Sequence, residues 1–372
     1  MDARETVSRG ESPLVVKVGS SLLVDGSGRA RASWMRALAE TLAPRPGPVI
    51  VVSSGAIGLG RAPLGLTGRP ADLAEAQAAA AIGQIRLARA WSEAWAARNR
   101  TAAQLLLTLG DLEDRARYLN ARNTVETLLA RGMVPVVNEN DTVATGEIRF
   151  GDNDRLAARV ALLAGAELLV LLSDVDGLYD ADPAREPGAA RIPVVDRIDA
   201  RIDALAGRAQ PTGVGTGGMV SKIAAARIAV DGGCPVLLAD GRRDDAIDRL
   251  REPDAGTLFR AARRPLARRK QWLRSLQRHA GAVHVDAGAV AAVRAGASLL
   301  ASGVRRVEGA FARGDAIALH GPDGRFGCGL AGYDSDEAER IAGHRSDAFA
   351  ELLGYAGRGP LIHRDDLVIY ER

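Results

Sequence analysis

Among the 49 arginines and lysines of this 372-residue chain, only three are lysine: Lys17, Lys222 and Lys270. A sequence that supplies arginine wherever any cation suffices keeps lysine for places that need a compact ammonium rather than a planar fork. Lys17 stands in Val16-Lys17-Val18-Gly19-Ser20-Ser21. There it ends a buried strand and can send its ammonium over the sheet edge toward an anion. A lysine merely snorkelling at a strand end is the plain alternative. Lys222 closes Gly213-Val214-Gly215-Thr216-Gly217-Gly218-Met219-Val220-Ser221-Lys222, a Gly-rich loop from which its ammonium can grip phosphate oxygens. Lys270 lies in an arginine-rich run and reads as chance.

Four more segments carry candidate chemistry, three of them directly after apolar runs, where open α/β sheets place their ligands. Ser53-Ser54-Gly55-Ala56-Ile57-Gly58-Leu59-Gly60-Arg61 exposes backbone N–H groups between a strand and a helix, a usual way to hold an anion. The Ser54 hydroxyl there can meet a substrate carboxylate or amine. Asn138-Glu139-Asn140-Asp141 and Gly151-Asp152-Asn153-Asp154 crowd amides and carboxylates into two loops, able to bind an amino group, orient lysines or meet a metal–nucleotide. Turn and capping chemistry competes with that reading, and Asp154 is well placed to cap a helix. Ser173-Asp174-Val175-Asp176-Gly177-Leu178-Tyr179 follows the most apolar strand and can edge a nucleotide pocket.

The elements that must position these residues are legible in the apolar pattern. Leu14–Val18, Val49–Val52, Leu105–Leu107, Val134–Val137, Leu168–Leu172 and Val236–Leu238 are continuously apolar, as strands covered on both faces are. Helical patterns over Ala71–Ala97, Arg115–Ala130, Arg155–Leu163 and Lys222–Val230 alternate with them. The fold class is therefore α/β, a layered domain on a mainly parallel sheet. From Arg260 to Arg274 seven of fifteen residues are basic, which reads as a solvated linker. Beyond it, Ala282–Val285, Arg305–Val307, Ala316–Leu319 and Leu367–Ile369 are short β runs. Gly-rich stretches at Gly321–Gly324 and Gly327–Gly329 read as the turns between them. The expected division is a large domain over 1–264, a basic linker over 265–280 and a small mostly-β domain over 281–372.

Composition excludes several classes. A charged fraction of 26% and a hydrophobic fraction of 47% suit a globular chain, and the net charge of +3 is too mild to imply nucleic-acid binding by itself. No apolar run is long enough to span a bilayer, and Met1 to Pro13 lacks the apolar core of a signal peptide, so a cytoplasmic location is expected. Cys234 and Cys328 form no disulfide or metal-ligand spacing. All five histidines fall late in the chain and outside any catalytic motif, so a histidine-based hydrolase is not expected. The glycines at 213, 215 and 218, with Asp240 some way on, meet the formal dinucleotide fingerprint. No strand precedes Gly213, however, because Ala200–Gly207 looks helical, so a nicotinamide enzyme is not expected.

Taken together, these segments resemble the glutamate 5-kinase family of the amino acid kinase superfamily, from about Leu14 to Asp366. The resemblance rests on Val-Lys-Val-Gly-Ser-Ser, Ser-Ser-Gly-Ala-Ile, Asn-Glu-Asn-Asp, Gly-Asp-Asn-Asp, Ser-Asp-Val-Asp-Gly-Leu-Tyr and Gly-Thr-Gly-Gly-Met-Val-Ser-Lys. Ile341-Ala342-Gly343-His344-Arg345-Ser346 and His363-Arg364-Asp365-Asp366 resemble a C-terminal PUA domain, a small β-barrel. The implied fold is a three-layer amino acid kinase sandwich plus that barrel.

The resemblance implies ATP-dependent phosphorylation of the γ-carboxylate of L-glutamate, the first step of proline biosynthesis, with Mg²⁺ carried by ATP. It places Lys17, Lys222 and Asp154 as catalytic, and Ser54, Gly55, Asp141 and Asn153 around glutamate. ATP would meet Lys17, Ser173, Asp174, Thr216, Gly217, Gly218, Met219, Val220, Ser221 and Lys222. Ser53 and Ser173 stand where threonine is common in the family. A homodimer or homotetramer, inhibition by L-proline and a γ-glutamyl phosphate reductase partner are further implications; a membrane is not, and RNA is unexpected. The rivals are a kinase of the same superfamily acting on aspartate, acetylglutamate or a nucleoside monophosphate, and an RNA-binding or RNA-modifying PUA protein.

Overall fold

The structure is a computed structural model and describes residues 3–68, 70–143, 152–183, 185–186, 188–208, 218–252, 254–261 and 279–370. The chain divides into two compact units, residues 1–112 with 121–263, and residues 264–372 with 113–120.

The larger unit is built on strands β1 (Leu14–Val18), β2 (Val49–Ser53), β3 (Ala102–Leu107), β4 (Val134–Glu139), β5 (Leu168–Ser173), β8 (Val194–Val195), β9 (Val236–Asp240) and β10 (Thr257–Phe259), with β6 (Leu178–Tyr179) and β7 (Arg191–Ile192) forming a separate two-stranded ribbon. The sheet order is β3-β4-β2-β1-β5-β9-β10-β8, and every pair from β3 to β9 is parallel. Only β10 runs antiparallel to its neighbour β9. From β1 the chain moves to β2 on one side, whereas from β5 it goes on to β8 and β9 on the other. Adjacent strands whose connections diverge in this way open a crevice at their C-terminal ends.

Apolar side chains go to both faces, as the uninterrupted runs require. Val16, Val18, Val49, Val51, Val170 and Leu172 face a layer that includes the helices Ala32–Leu42 and Leu73–Ala96, whose Trp34, Trp91 and Trp95 are fully buried. Alternation sends the remaining strand residues, Lys17 among them, to the opposite face. There the helices Asp152–Ala164 and Met219–Asp231 pack on the sheet and on each other. The expected three layers are present.

Four strands run past their apolar runs at the C-terminal end, where Ser53, Asn138–Glu139, Ser173 and Ala239–Asp240 belong to the ladder, and β3 begins earlier than its run, at Ala102. The helix Ala32–Leu42 and the two- or three-residue strands β6, β7, β8 and β10 have no counterpart in the sequence reading. Strands that short carry too few residues to show a period.

The smaller unit is a five-stranded sheet of β11 (Gly281–Val285), β12 (Val304–Glu308), β13 (Ala316–Gly321), β14 (Gly324–Leu330) and β15 (Leu367–Ile369), in the order β12-β11-β13-β14-β15. Val283, Ile317, Leu319, Tyr333, Ile341, Leu361 and Ile362 lie in its core. Asp286 and Asp334 cap its two longer helices by accepting from Ala289 and Glu337 N–H. Among the described residues β12 and β15 end the sheet, so an open sheet stands where a barrel was expected.

Gly321–Gly324 is indeed a hairpin turn, but Gly327–Gly329 is not. It lies inside β14, and a Cβ there would come within 2.4 Å of Val368 O at Gly327 and 2.6 Å of Ile362 Cγ2 at Gly329. These glycines serve close approach within a strand rather than chain reversal. Most of the basic stretch, residues 262–278, lies outside the described residues.

Candidate active site

The parallel ladder continues one residue beyond several strands, which draws the loops onto a single edge. Gly19 N–H donates to Leu172 O, Ser54 N–H to Val18 O, Asn140 N–H to Leu107 O and Gly241 N–H to Ser173 O. The Lys17, Ser54, Asn140 and Ser173 segments are therefore neighbours in space.

Two helices bring the remaining charges to that edge by the same device. In the 152–164 helix, Asp154, Ala157, Ala158 and Ala161 share one buried stripe; in the 219–231 helix, Lys222, Ala225, Ala226 and Ala229 do the same. Residues at i, i+3, i+4 and i+7 lie on one helix face. The alanines let the two helices approach closely, and the single polar residue at the head of each stripe emerges beside the strand ends. Asp154 is thus no cap: it lies inside the helix with its carboxylate turned to the sheet.

Lys17 Nζ is 2.5 Å from Asp154 Oδ1, and Lys222 Nζ is 3.6 Å from Asp154 Oδ2. The Ser221 hydroxyl donates to Asp154 Oδ2 at 2.8 Å. All three charged groups are buried, with relative exposures of 6% for Lys17, 7% for Lys222 and 0% for Asp154. Burial alone would push the Asp154 carboxyl up. The Lys17 and Lys222 charges, with hydrogen bonds from Lys17 and Ser221, outweigh it and hold the group below the ordinary carboxylate range. Burial depresses the Lys222 ammonium, and although Asp154 opposes this while Lys17 reinforces it, the net value lies below an ordinary lysine's. Two ammonium groups thus meet at one buried carboxylate, and Asp174 adds a weaker attraction to Lys222. Such a cluster is suited to a polyanion that can displace water from it.

A second network lines the neighbouring strand ends. Asn153 Oδ1 accepts from Glu139 N–H at 3.2 Å, tying the first turn of the 152–164 helix to the end of β4. Gly55 follows β2 with φ 101, a left-handed conformation that favours glycine, and starts the helix Ala56–Arg61. The Ser173 hydroxyl donates to Asp174 Oδ1 at 3.0 Å. Gly218 is the N-cap residue of the 219–231 helix, where Met219, Val220 and Ser221 form the first turn.

The amino acid kinase family model matches residues 12–240, and the PUA domain model matches residues 281–353. A glutamate 5-kinase of Bradyrhizobium diazoefficiens is 52% identical over 361 residues, 96% of this chain and 96% of that protein. One from Bradyrhizobium sp. strain BTAi1 is 53% identical over 96% of this chain and 95% of its own length. One from Cereibacter sphaeroides is 52% identical over 97% of this chain and 98% of its own length.

The chain belongs to the glutamate 5-kinase family. Its membership gives the buried cluster its context, since the family's kinases handle a phosphorylated nucleotide. Of the residues singled out in the sequence, the structure brings Lys17, Asp154, Ser221 and Lys222 into contact. It places Ser54, Gly55, Asn153, Ser173, Asp174 and Gly218 on elements that end or begin at the same edge. Asp141 lies in the turn after β4. Thr216, Gly217 and Gly151 lie outside the described residues. No helix among the described residues is long and apolar enough to cross a membrane. Among them, too, no group of three histidine, cysteine, aspartate or glutamate side chains gathers as a metal site.

Sequence reasoning missed the support beneath this edge. Gln84 and Trp91, two turns apart on the 73–96 helix, reach up through the core: Trp91 Nε1 donates to Ser53 Oγ at 2.8 Å, and Gln84 Oε1 accepts from Asn138 Nδ2 at 2.7 Å. The available signal was one of two glutamines, Gln77 and Gln84, on an alanine-rich helix, which the surrounding apolar pattern masks.

Proposed function

We propose that this chain transfers the γ-phosphoryl group of ATP to the γ-carboxylate of L-glutamate, forming γ-glutamyl phosphate in the first step of proline biosynthesis. The observation that carries the reading is the buried Lys17–Asp154–Lys222 cluster on the edge shared by β1, β2, β4 and β5. Phosphoryl transfer asks for in-line positioning and for neutralisation of spreading negative charge, with little covalent work by the protein.

In this reading Lys17 and Lys222 flank the transferred phosphoryl group, and Asp154 fixes the spacing of the two ammonium groups. Ser221 holds the second oxygen of Asp154. Ser173, Asp174, Gly218 and the first turn of the 219–231 helix take the nucleotide, along with Thr216 and Gly217. Ser54, Gly55, Asp141 and Asn153 take glutamate. Mg²⁺ arrives on the phosphates as part of the substrate and shares in neutralising them. The attacking carboxylate is already ionised at neutral pH, so no general base is required. That agrees with a cluster containing no histidine.

The test is turnover with ATP, Mg²⁺, L-glutamate and hydroxylamine, because an acyl phosphate is trapped as a hydroxamate. Hydroxamate formed from glutamate supports the reading; turnover with aspartate, acetylglutamate or a nucleoside monophosphate but not glutamate overturns it. The same assay with L-proline reads feedback inhibition, and light scattering reads the dimer or tetramer that we expect. Hydroxamate yield with an added γ-glutamyl phosphate reductase reads whether the labile product passes directly to such a partner.

A further inference from the structure

Asn138 lies at the end of β4 on the face that packs toward the 73–96 helix, and it is 1% exposed. A buried amide is costly unless its groups are paired. Its pairing here is fixed by one immovable donor. Glu139 N–H can only donate, so the Asn138 atom facing it at 2.9 Å must be the oxygen. That choice sends Asn138 Nδ2 toward the 73–96 helix, where Gln84 Oε1 accepts from it at 2.7 Å. The same Glu139 N–H is shared with Asn153 Oδ1. An asparagine held by its oxygen presents its N–H donors elsewhere, the correct polarity for a carboxylate. One chain of contacts therefore runs Gln84, Asn138, Glu139 N–H, Asn153.

We propose that Gln84 is a positioning residue for the glutamate half of the site, setting the Asn138 amide and through it the shared Glu139 N–H and the orientation of Asn153. This rests on the glutamate kinase reading above. Gln84 touches neither the Lys17–Asp154–Lys222 cluster nor, by any contact seen here, the nucleotide side, so its effect should divide the two substrates.

The experiment compares wild type, Gln84→Leu and Gln84→Glu by hydroxamate kinetics and thermal melting. Leucine fills the space and removes the acceptor; glutamate keeps an oxygen that can accept from Asn138. We expect Gln84→Leu to raise the KM for glutamate about tenfold, the scale of one lost buried hydrogen bond, while the KM for ATP stays within about twofold. Gln84→Glu should return the glutamate KM to near the wild-type value. Gln84→Ala replaces Gln84→Leu if the latter does not fold. An unchanged glutamate KM without the acceptor overturns the proposal, as does an equal rise in both KM values with a lowered melting temperature. A wild-type protein that makes no hydroxamate from glutamate overturns the functional reading itself, a distinguishable result.

Discussion

Lys17 Nζ sits 2.5 Å from Asp154 Oδ1 with both side chains almost wholly buried. One comes from the central strand and the other from the first turn of a helix lying across it. Asp154 also faces Lys222 at 3.6 Å, so a single carboxylate sets the distance between two ammonium groups. The site forms only when strand β1 and the 152–164 and 219–231 helices are docked together.

Replacing Lys222 by alanine should lower turnover by a factor of about 10²–10³, the typical effect of removing one aimed electrostatic group. The melting temperature should change little, because removing Lys222 leaves Asp154 still paired with Lys17. Turnover near the wild-type level would end the proposed role.

The depressed Lys222 pKa gives a pH signature. In the free enzyme the ammonium is lost as pH rises through a value below the ordinary 10.5. Plots of kcat/KM for ATP report free-enzyme ionisations, so an alkaline limb should appear with an apparent pKa below 10.5. Lys222→Arg keeps the charge to much higher pH, and its residual activity should show that limb displaced upward. A limb at the same pH in both proteins would assign it to another group.

Asp154→Asn removes the only carboxylate in contact with both ammonium groups among the described contacts. Breaking a buried pair from one side typically costs about 3–5 kcal/mol, and urea unfolding at neutral pH should show a loss of that order together with lost activity. The sign of the pH dependence follows from the depressed folded pKa. Asp154's contribution is fully present above the ordinary value of 3.8 and disappears as pH falls through the lower folded value. The stability gap between wild type and Asp154→Asn should therefore hold steady at neutral pH and narrow only in acid. A gap that narrows instead between neutral pH and about 6, a range set by histidine, would implicate a different group.

Much of this site was legible in the sequence because its residues lie at or next to the ends of apolar runs: Lys17 in β1, Ser53 in β2, Ser173 in β5. The same fact limited the reading. Apolar periodicity stops where polar site residues begin, so Asn138, Glu139 and Asp240 were left outside strands whose hydrogen-bonded ladders include them. The helices holding Asp154 and Lys222 likewise begin earlier than their apolar stripes. Asp154 could also have capped a helix, and its burial beside two lysines decides the matter. Gln84 was illegible for another reason. Its partner Asn138 lies across the core, and no local pattern records a contact made through tertiary packing. Gly327 and Gly329 misled for a related cause, since a glycine needed for close approach looks the same in sequence as one needed for a turn.

The seat of the Ser54–Gly55 loop depends on such an approach. In the 73–96 helix a Cβ on Gly83 would lie 1.7 Å from Ala56 O, and a Cβ on Gly60 would lie 1.8 Å from Ala79 O. The 56–61 and 73–96 helices therefore meet backbone to backbone, and neither contact can be relieved by a side-chain rotation. Gly83→Ala must push the 56–61 helix away, at a cost of about 1–3 kcal/mol or more. The displaced helix starts at Ala56, directly after the loop, so the glutamate KM should rise along with the loss of stability. Gly26→Ala is the control: nothing lies within 4 Å of its Cβ, and it should melt and turn over like the wild type. Equal melting temperatures for Gly83→Ala and Gly26→Ala would show that the helices can part without cost, and the close contact would then not be what seats the loop.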